Sequence, residues 1–284
     1  MERSVIALLH GPDQPGIVAK VAGWIHEHGG NVLHADQHLD RQENIFFQRV
    51  EWSPQLSRDL RSEADAFSSF AHQDLGMKVR IALSDDQPKI ALMVSRADHC
   101  FHDLVLRVRS GEWNAKIVGV VSNHQEMRTA SEAYGLDYLH LPVTKDSKKA
   151  VEEEQLAWLN SQGVELVILA RYMQVLSSDF LDRVGCPVIN IHHSFLPSFA
   201  GAKPYHQAYQ RGVKLIGATA HYVTEDLDEG PIIEQNVVRV DHSQSVSELV
   251  RVGQDEESRT LAQAVSWFAE HRILMDGIRT IIFR

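Results

Sequence analysis

Asn190 and His192 stand two residues apart at the end of the apolar run Pro187-Val188-Ile189. If that run is a strand continuing through Asn190, both side chains point to one face, because strand side chains alternate. An amide and an imidazole side by side can hydrogen-bond one oxygen atom and so stabilise an oxyanion. Further along, the acidic turn Thr224-Glu225-Asp226-Leu227-Asp228-Glu229-Gly230 separates two apolar stretches. It can bring one of its carboxylates to the imidazole. A carboxylate beside a histidine favours its protonated form and fixes its tautomer. Taken singly, each residue also has a structural use: a satisfied strand end, a buried histidine, a turn aspartate. The 16 histidines raise metal chemistry. There is no HExxH, however, and adjacent His192 and His193 on a strand should face opposite ways, so no metal site is expected.

The elements that must hold these groups fall into two patterns. Residues 1–86 read strand (from Val5), helix (Ile17, Val21, Trp24, Ile25), strand (Val32 to Leu39), strand (Ile45 to Trp52), helix (Leu56, Leu60, Ala64, Phe67) and strand (Met77 to Leu83). That order is the split ferredoxin-like unit. Ser84-Asp85-Asp86-Gln87-Pro88 is a polar linker and marks the boundary. From 87 to 284, apolar runs such as Ile90 to Val94, Ile117 to Val121 and Leu166 to Leu169 alternate with helical stretches. This predicts an α/β, doubly wound, mostly parallel Rossmann-like sheet, which binds ligands at the carboxyl ends of its strands.

Composition narrows the class. A net charge of −10 argues against nucleic acid as the main partner. No apolar stretch is long enough for a bilayer, and Val5 to Leu9 is too short for a secretory signal. Only Cys100 and Cys186 occur, without CxxC spacing, so a soluble protein of the reducing cytoplasm is expected.

The segments Asn190 to Pro197, Gly201 to Ala208, Gly217 to His221 and Leu227 to Ile233 together resemble the formyltransferase fold of enzymes acting on 10-formyltetrahydrofolate, the deformylases most closely. The resemblance covers residues 88 to 284 and implies a catalytic trio of Asn190, His192 and Asp228. It implies that Leu169 to Leu176 lines the pterin slot, with Met173, Val175 and Leu176 in contact. His221, Val223 and Glu225 complete that slot, and the loop from Val223 to Asp228 offers backbone contacts. Relatives often carry Arg where this chain has Gln174. Residues 1–86 resemble an ACT domain, a small-ligand regulatory module, through Asp13-Gln14-Pro15-Gly16-Ile17 at the first strand–helix junction. Helix-terminal amides there suit a ligand carboxylate. Asp13, Pro15, Gly16 and Ile17 are the expected regulatory residues, glycine or methionine the expected effectors, and a homo-oligomer the expected assembly.

The family's members differ in what accepts the formyl group. Glycinamide ribonucleotide formyltransferases carry a glycine-rich phosphate loop after the first strand. Here Val94-Ser95-Arg96-Ala97-Asp98-His99-Cys100 has no glycine, and Asp98 would repel phosphate. Methionyl-tRNA formyltransferases add a C-terminal RNA-binding domain that the resemblance does not extend to here. Water is the acceptor left, giving tetrahydrofolate and formate without metal or cofactor, in one-carbon and purine metabolism. Two other readings stay open: a transferase to another amine, and a non-catalytic folate or amino-acid sensor.

Overall fold

The structure is a computed structural model that describes residues 3–55, 59–197 and 204–284. The chain forms two compact units. The first comprises Met1–Asp86, Glu270–Asp276 and Thr280–Arg284, and the second Gln87–Ala269 with Gly277–Arg279. The sequence reading ends the second unit at 284. The structure corrects this, because the final segments pack with the first unit instead.

In the first unit the order is β1 (Val5–Pro12), α1 (Ile17–Glu27), β2 (Asn31–Asp40), β3 (Ile45–Ser53), α2 (Leu60–Gln73) and β4 (Lys78–Leu83). The sheet order is β2-β3-β1-β4 with every neighbouring pair antiparallel, which is the ferredoxin-like arrangement. The helix signal at Leu56 lies outside the described residues. Helix α2 opens at Leu60, where the Asp59 carboxylate accepts from the Ser62 amide at 3.0 Å. Apolar residues at helical spacing on α1 and α2 meet the alternate residues of β1 and β3. Trp24, Trp52 and Phe67 pack ring to ring there, at 5.1 and 4.7 Å between centroids.

The opposite sheet face carries Leu8 and Phe47. Both are covered by Leu274 and Phe283 of the late chain, where β12 (Ile273–Asp276) and β13 (Arg279–Ile282) form a hairpin. The buried Arg49 donates to the carbonyls of His271 (3.1 Å) and Glu270 (3.2 Å) and pairs with Glu51 at 3.0 Å.

The second unit runs β5 (Lys89–Val94), α3 (His99–Ser110), β6 (Lys116–Ser122), α4 (Arg128–Ala133), β7 (Tyr138–His140), α5 (Lys148–Gln162), β8 (Leu166–Ala170), α6 (Ser178–Arg183), β9 (Val188–His192), α7 (Pro204–Arg211), β10 (Leu215–Tyr222), β11 (Ile232–Arg239) and α8 (Val246–Ala269). The sheet order is β11-β10-β9-β8-β5-β6-β7. The strands from β9 to β7 are mutually parallel, and β10 and β11 are antiparallel additions. Ile90 to Val94 and Leu166 to Ala170 are buried throughout, as expected of strands covered on both faces. From β5 the chain winds outward through β6 to β7, then returns to β8 on the other side of β5. The carboxyl ends of β5, β8 and β9 therefore open at a topological switch point.

Candidate active site

A cleft of about 650 Å³ opens at those strand ends. Strand β9 carries Asn190 and His192 into it, two residues apart. Register brings His221 of β10 directly opposite Asn190. The His221 ring is close to the Tyr222 carbonyl, with Nδ1 to oxygen at 2.9 Å. A carbonyl cannot donate, so Nδ1 carries the proton and Nε2 is free to accept from the Asn190 amide at 3.2 Å. Burial lowers the His221 pKa, against the pull of that carbonyl and of Asp228, which keeps the neutral tautomer.

Asp228 lies on the loop between β10 and β11. Its Oδ2 is 3.2 Å from His192 Nδ1, and its Oδ1 is 3.7 Å from His221 Nε2. The hydrogen bond from His192 is the main reason its carboxyl sits below the usual range. Asp228 adopts φ +60°, a left-handed conformation that costs a non-glycine residue energy and is found where a site fixes it. Two residues on, a Cβ on Gly230 would fall 1.8 Å from the Tyr222 carbonyl oxygen. Only glycine lets the loop fold back this closely. His192 Nε2 is buried, without a partner among the described residues.

One wall of the cleft is apolar. Met173, Val175, Leu176, Val223 and Leu227 line it, Glu225 also lines the cleft, and Met173, Val175 and Leu227 are more than half exposed. Exposed apolar side chains gathered in one concavity mark a ligand surface. The segment is pinned in two places. The Met173 amide donates to Ser95 Oγ at 3.0 Å, and Ser95 in turn donates to Asn123. The Tyr172 hydroxyl accepts from Gln155 at 2.9 Å. The structure thus brings Asn190, His192 and Asp228 and the expected contacts Met173, Val175, Leu176, His221, Val223 and Glu225 to one cleft. Of the family-like segments, Gly201, Ala202 and Lys203 lie outside the described residues.

The other wall is a buried polar cluster that the sequence reading did not find. Glu257 of α8 is 1% exposed. It faces His99 Nε2 at 2.8 Å and Arg171 Nε at 3.3 Å, and accepts from the Tyr205 hydroxyl at 2.6 Å. Burial favours the protonated acid, but His99, Arg171 and Tyr205 outweigh it and hold Glu257 ionised. Arg171 at the end of β8 also has positive φ, +63°, and its Nη1 donates to His193 Nδ1. His193 does not point away from His192. Strand β9 ends at His192, alternation stops there, and the two rings stack at 4.9 Å and 13°. His99, Cys100 and Glu257 present donor atoms within 4.8 Å of one another. Arg171 beside Glu257 opposes a cation there, and burial pushes the Cys100 thiol far up, away from the thiolate a metal needs.

At the first strand–helix junction, Gly16 caps α1 at φ +88° with open space beside it, and Asp13 donates its amide to Asn44. Pro15 is exposed. Ile17 is 2% exposed and belongs to the core, so its side chain is not available to a ligand.

The formyl transferase family model matches residues 88–265. A formyltetrahydrofolate deformylase of Synechocystis sp. is 49% identical over 96% of this chain and 95% of its own length. The crystal structure of a formyltetrahydrofolate deformylase from Pseudomonas syringae pv. tomato superposes with a TM-score of 0.95 at 42% identity, covering 100% of this chain and 95% of that one. A glycinamide ribonucleotide transformylase from Symbiobacterium toebii matches 70% of this chain, with a TM-score of 0.66 and 32% identity. The transformylase likeness stops well short of the whole chain, the deformylase likeness runs through both units, and the chain belongs to the formyltetrahydrofolate deformylase family.

Proposed function

We propose that this protein hydrolyses 10-formyltetrahydrofolate to tetrahydrofolate and formate. The observation that carries the reading is the convergence of Asn190, His192 and Asp228 on one end of a cleft whose adjoining wall is apolar. The pterin would lie along Met173, Val175, Leu176 and Val223, placing the formyl carbon beside the trio. Water attacks that carbon, and negative charge grows on the formyl oxygen. The Asn190 amide and His192 Nε2–H receive the charge. Asp228, already ionised, orients the water, accepts its proton and balances positive charge on His192. The C–N10 bond then breaks as N10 takes the proton that Asp228 accepted, which releases formate and restores the carboxylate. Preorganised donors of this kind are worth roughly 100- to 1000-fold each in turnover. The formyl amide is activated by the aryl group on its nitrogen, so the reaction needs no metal or cofactor.

The wall that would meet an acceptor supports water over a phosphorylated amine. Ser95 to His99 supplies no glycine-rich loop, and Asp98 brings negative charge to it. Incubating pure protein with 10-formyltetrahydrofolate alone tests the reading. Stoichiometric formate and tetrahydrofolate are expected. Turnover that appears only on adding an amine would replace it with a transferase.

The first unit is proposed to be an ACT domain. Its ferredoxin-like sheet and the glycine-capped start of α1 support that reading. In the turn Asp13, Pro15, Gly16 and Ile17, the backbone amides of Gly16 and Ile17 would hold the carboxylate of a small amino acid, glycine or methionine, within a cytoplasmic homo-oligomer serving one-carbon and purine metabolism. No helix among the described residues is long and apolar enough to cross a membrane. Calorimetric titration with both amino acids tests the effector.

A further inference from the structure

We infer that His193 is a fixed hydrogen-bond donor that positions the attacking water, with Arg171 and Glu257 as the residues that fix it. The inference rests on the hydrolytic reading above. A guanidinium has no acceptor, so a His193 nitrogen facing Arg171 Nη1 must present a lone pair. In the neutral ring the proton then sits on Nε2. That atom is buried with no partner among the described residues, while the ring lines the same cleft as His192 and Asp228. A buried donor without a partner costs about 1–3 kcal/mol, so its retention calls for an occupant. Burial, then Arg171 and His192, hold the ring's pKa down at about 4, so the donor stays uncharged at neutral pH.

The support behind Arg171 is equally specific. Its Nε faces Glu257, which is bound from two further sides by His99 and Tyr205. Glu257 therefore cannot turn away, and the guanidinium is held between one carboxylate and one imidazole. His193 neither gives nor takes a proton in the reaction. The water's proton goes to Asp228 and from there to N10 as it leaves, while His193 Nε2–H only fixes where the water stands. Asn190 and His192 serve the formyl oxygen, and His193 serves the nucleophile.

The experiment separates these duties with hydroxylamine, a small nucleophile that does not depend on the water position. Attack by hydroxylamine breaks the same C–N10 bond and forms formohydroxamate in place of formate. His193→Phe keeps a stacking ring without the donor. It is expected to lower kcat for hydrolysis roughly tenfold, the loss of one such hydrogen bond, with KM for the folate little changed. The ratio of formohydroxamate to formate at fixed hydroxylamine is expected to rise by a similar factor. His193→Gln, which restores an N–H, should recover part of the loss. Arg171→Lys keeps the charge but loses the fork that reaches both partners, and should shift the ratio as His193→Phe does, whether or not His193→Phe folds. A wild-type ratio in these variants, at any rate of turnover, overturns the inference and makes His193 structural. Failure of the wild-type protein to release formate would instead sink the hydrolytic reading itself.

Discussion

Asp228 carries both the chemistry and the strain of its loop. At φ +60° it occupies a conformation that asparagine shares comfortably and glycine adopts freely. Asp228→Asn therefore changes the carboxylate and little else, and is expected to slow formate release by ~100-fold or more, since an amide cannot accept the water's proton. Near-normal rates would remove Asp228 from the mechanism. Asp228→Gly should be as inactive, yet unfold no earlier than wild type in a thermal scan, because the left-handed strain is relieved. His192→Ala is expected to end turnover while folate still binds, as read by fluorescence titration. Parallel loss of binding and of the melting transition would mark His192 as structural. Of the residues at this scale, the convergence of Asn190, His192 and Asp228 was legible because two short segments carry them, Asn190 to Pro197 and Leu227 to Ile233. Glu257 was not. It sits in the polar run Gln254-Asp255-Glu256-Glu257-Ser258, which reads as a solvated helix face, and only the fold shows that one of those carboxylates turns inward.

At the scale of elements, the alternation of apolar runs and helices showed the parallel sheet, and strand spacing placed Asn190 beside His192. The same rule failed one residue later. Alternation belongs to extended backbone, and β9 stops at His192. The closing hairpin went unread for another reason. Asp276-Gly277, with Gly277 at φ +60°, is a strong turn signal, but the flanking runs are four residues each and their packing partners Leu8 and Phe47 lie at the far end of the sequence. Element geometry also yields a prediction at Gly230. A methyl there would meet the Tyr222 carbonyl at 1.8 Å, so Gly230→Ala must open the loop from β10 to β11. It should cost about 1–3 kcal/mol in a denaturant titration and withdraw Asp228 from His192, with turnover falling further than stability. A variant normal in both respects would show that the loop has room to spare.

For the whole molecule, two buried histidines should make acid destabilising. His193 in the second unit and His271 in the first are both depressed to about 4 from an ordinary 6.5, mainly by burial. The unfolded chain takes up these protons near 6.5 and the folded chain only near 4. Between those values the unfolded state binds more protons, so stability rises with pH across that window and falls on acidification. Denaturant midpoints at pH 7, 5.5 and 4.5 should decline in that order, and His271→Gln should flatten the slope for the first unit. A flat profile in the unmodified protein would contradict the burial of both rings as neutral species.

The return of the late chain to the first unit sets an order of assembly. During synthesis the opening strands emerge first, yet one face of their sheet must wait for Leu274 and Phe283, and Arg49 must wait for the carbonyls of Glu270 and His271. All of β5 to α8 is translated in between, so the unit begun first is completed last. A ribosome that stops after the catalytic unit releases a chain with a bare apolar face and a half-satisfied buried arginine. The N-terminal unit therefore closes its second sheet face only once β12 and β13 have been made.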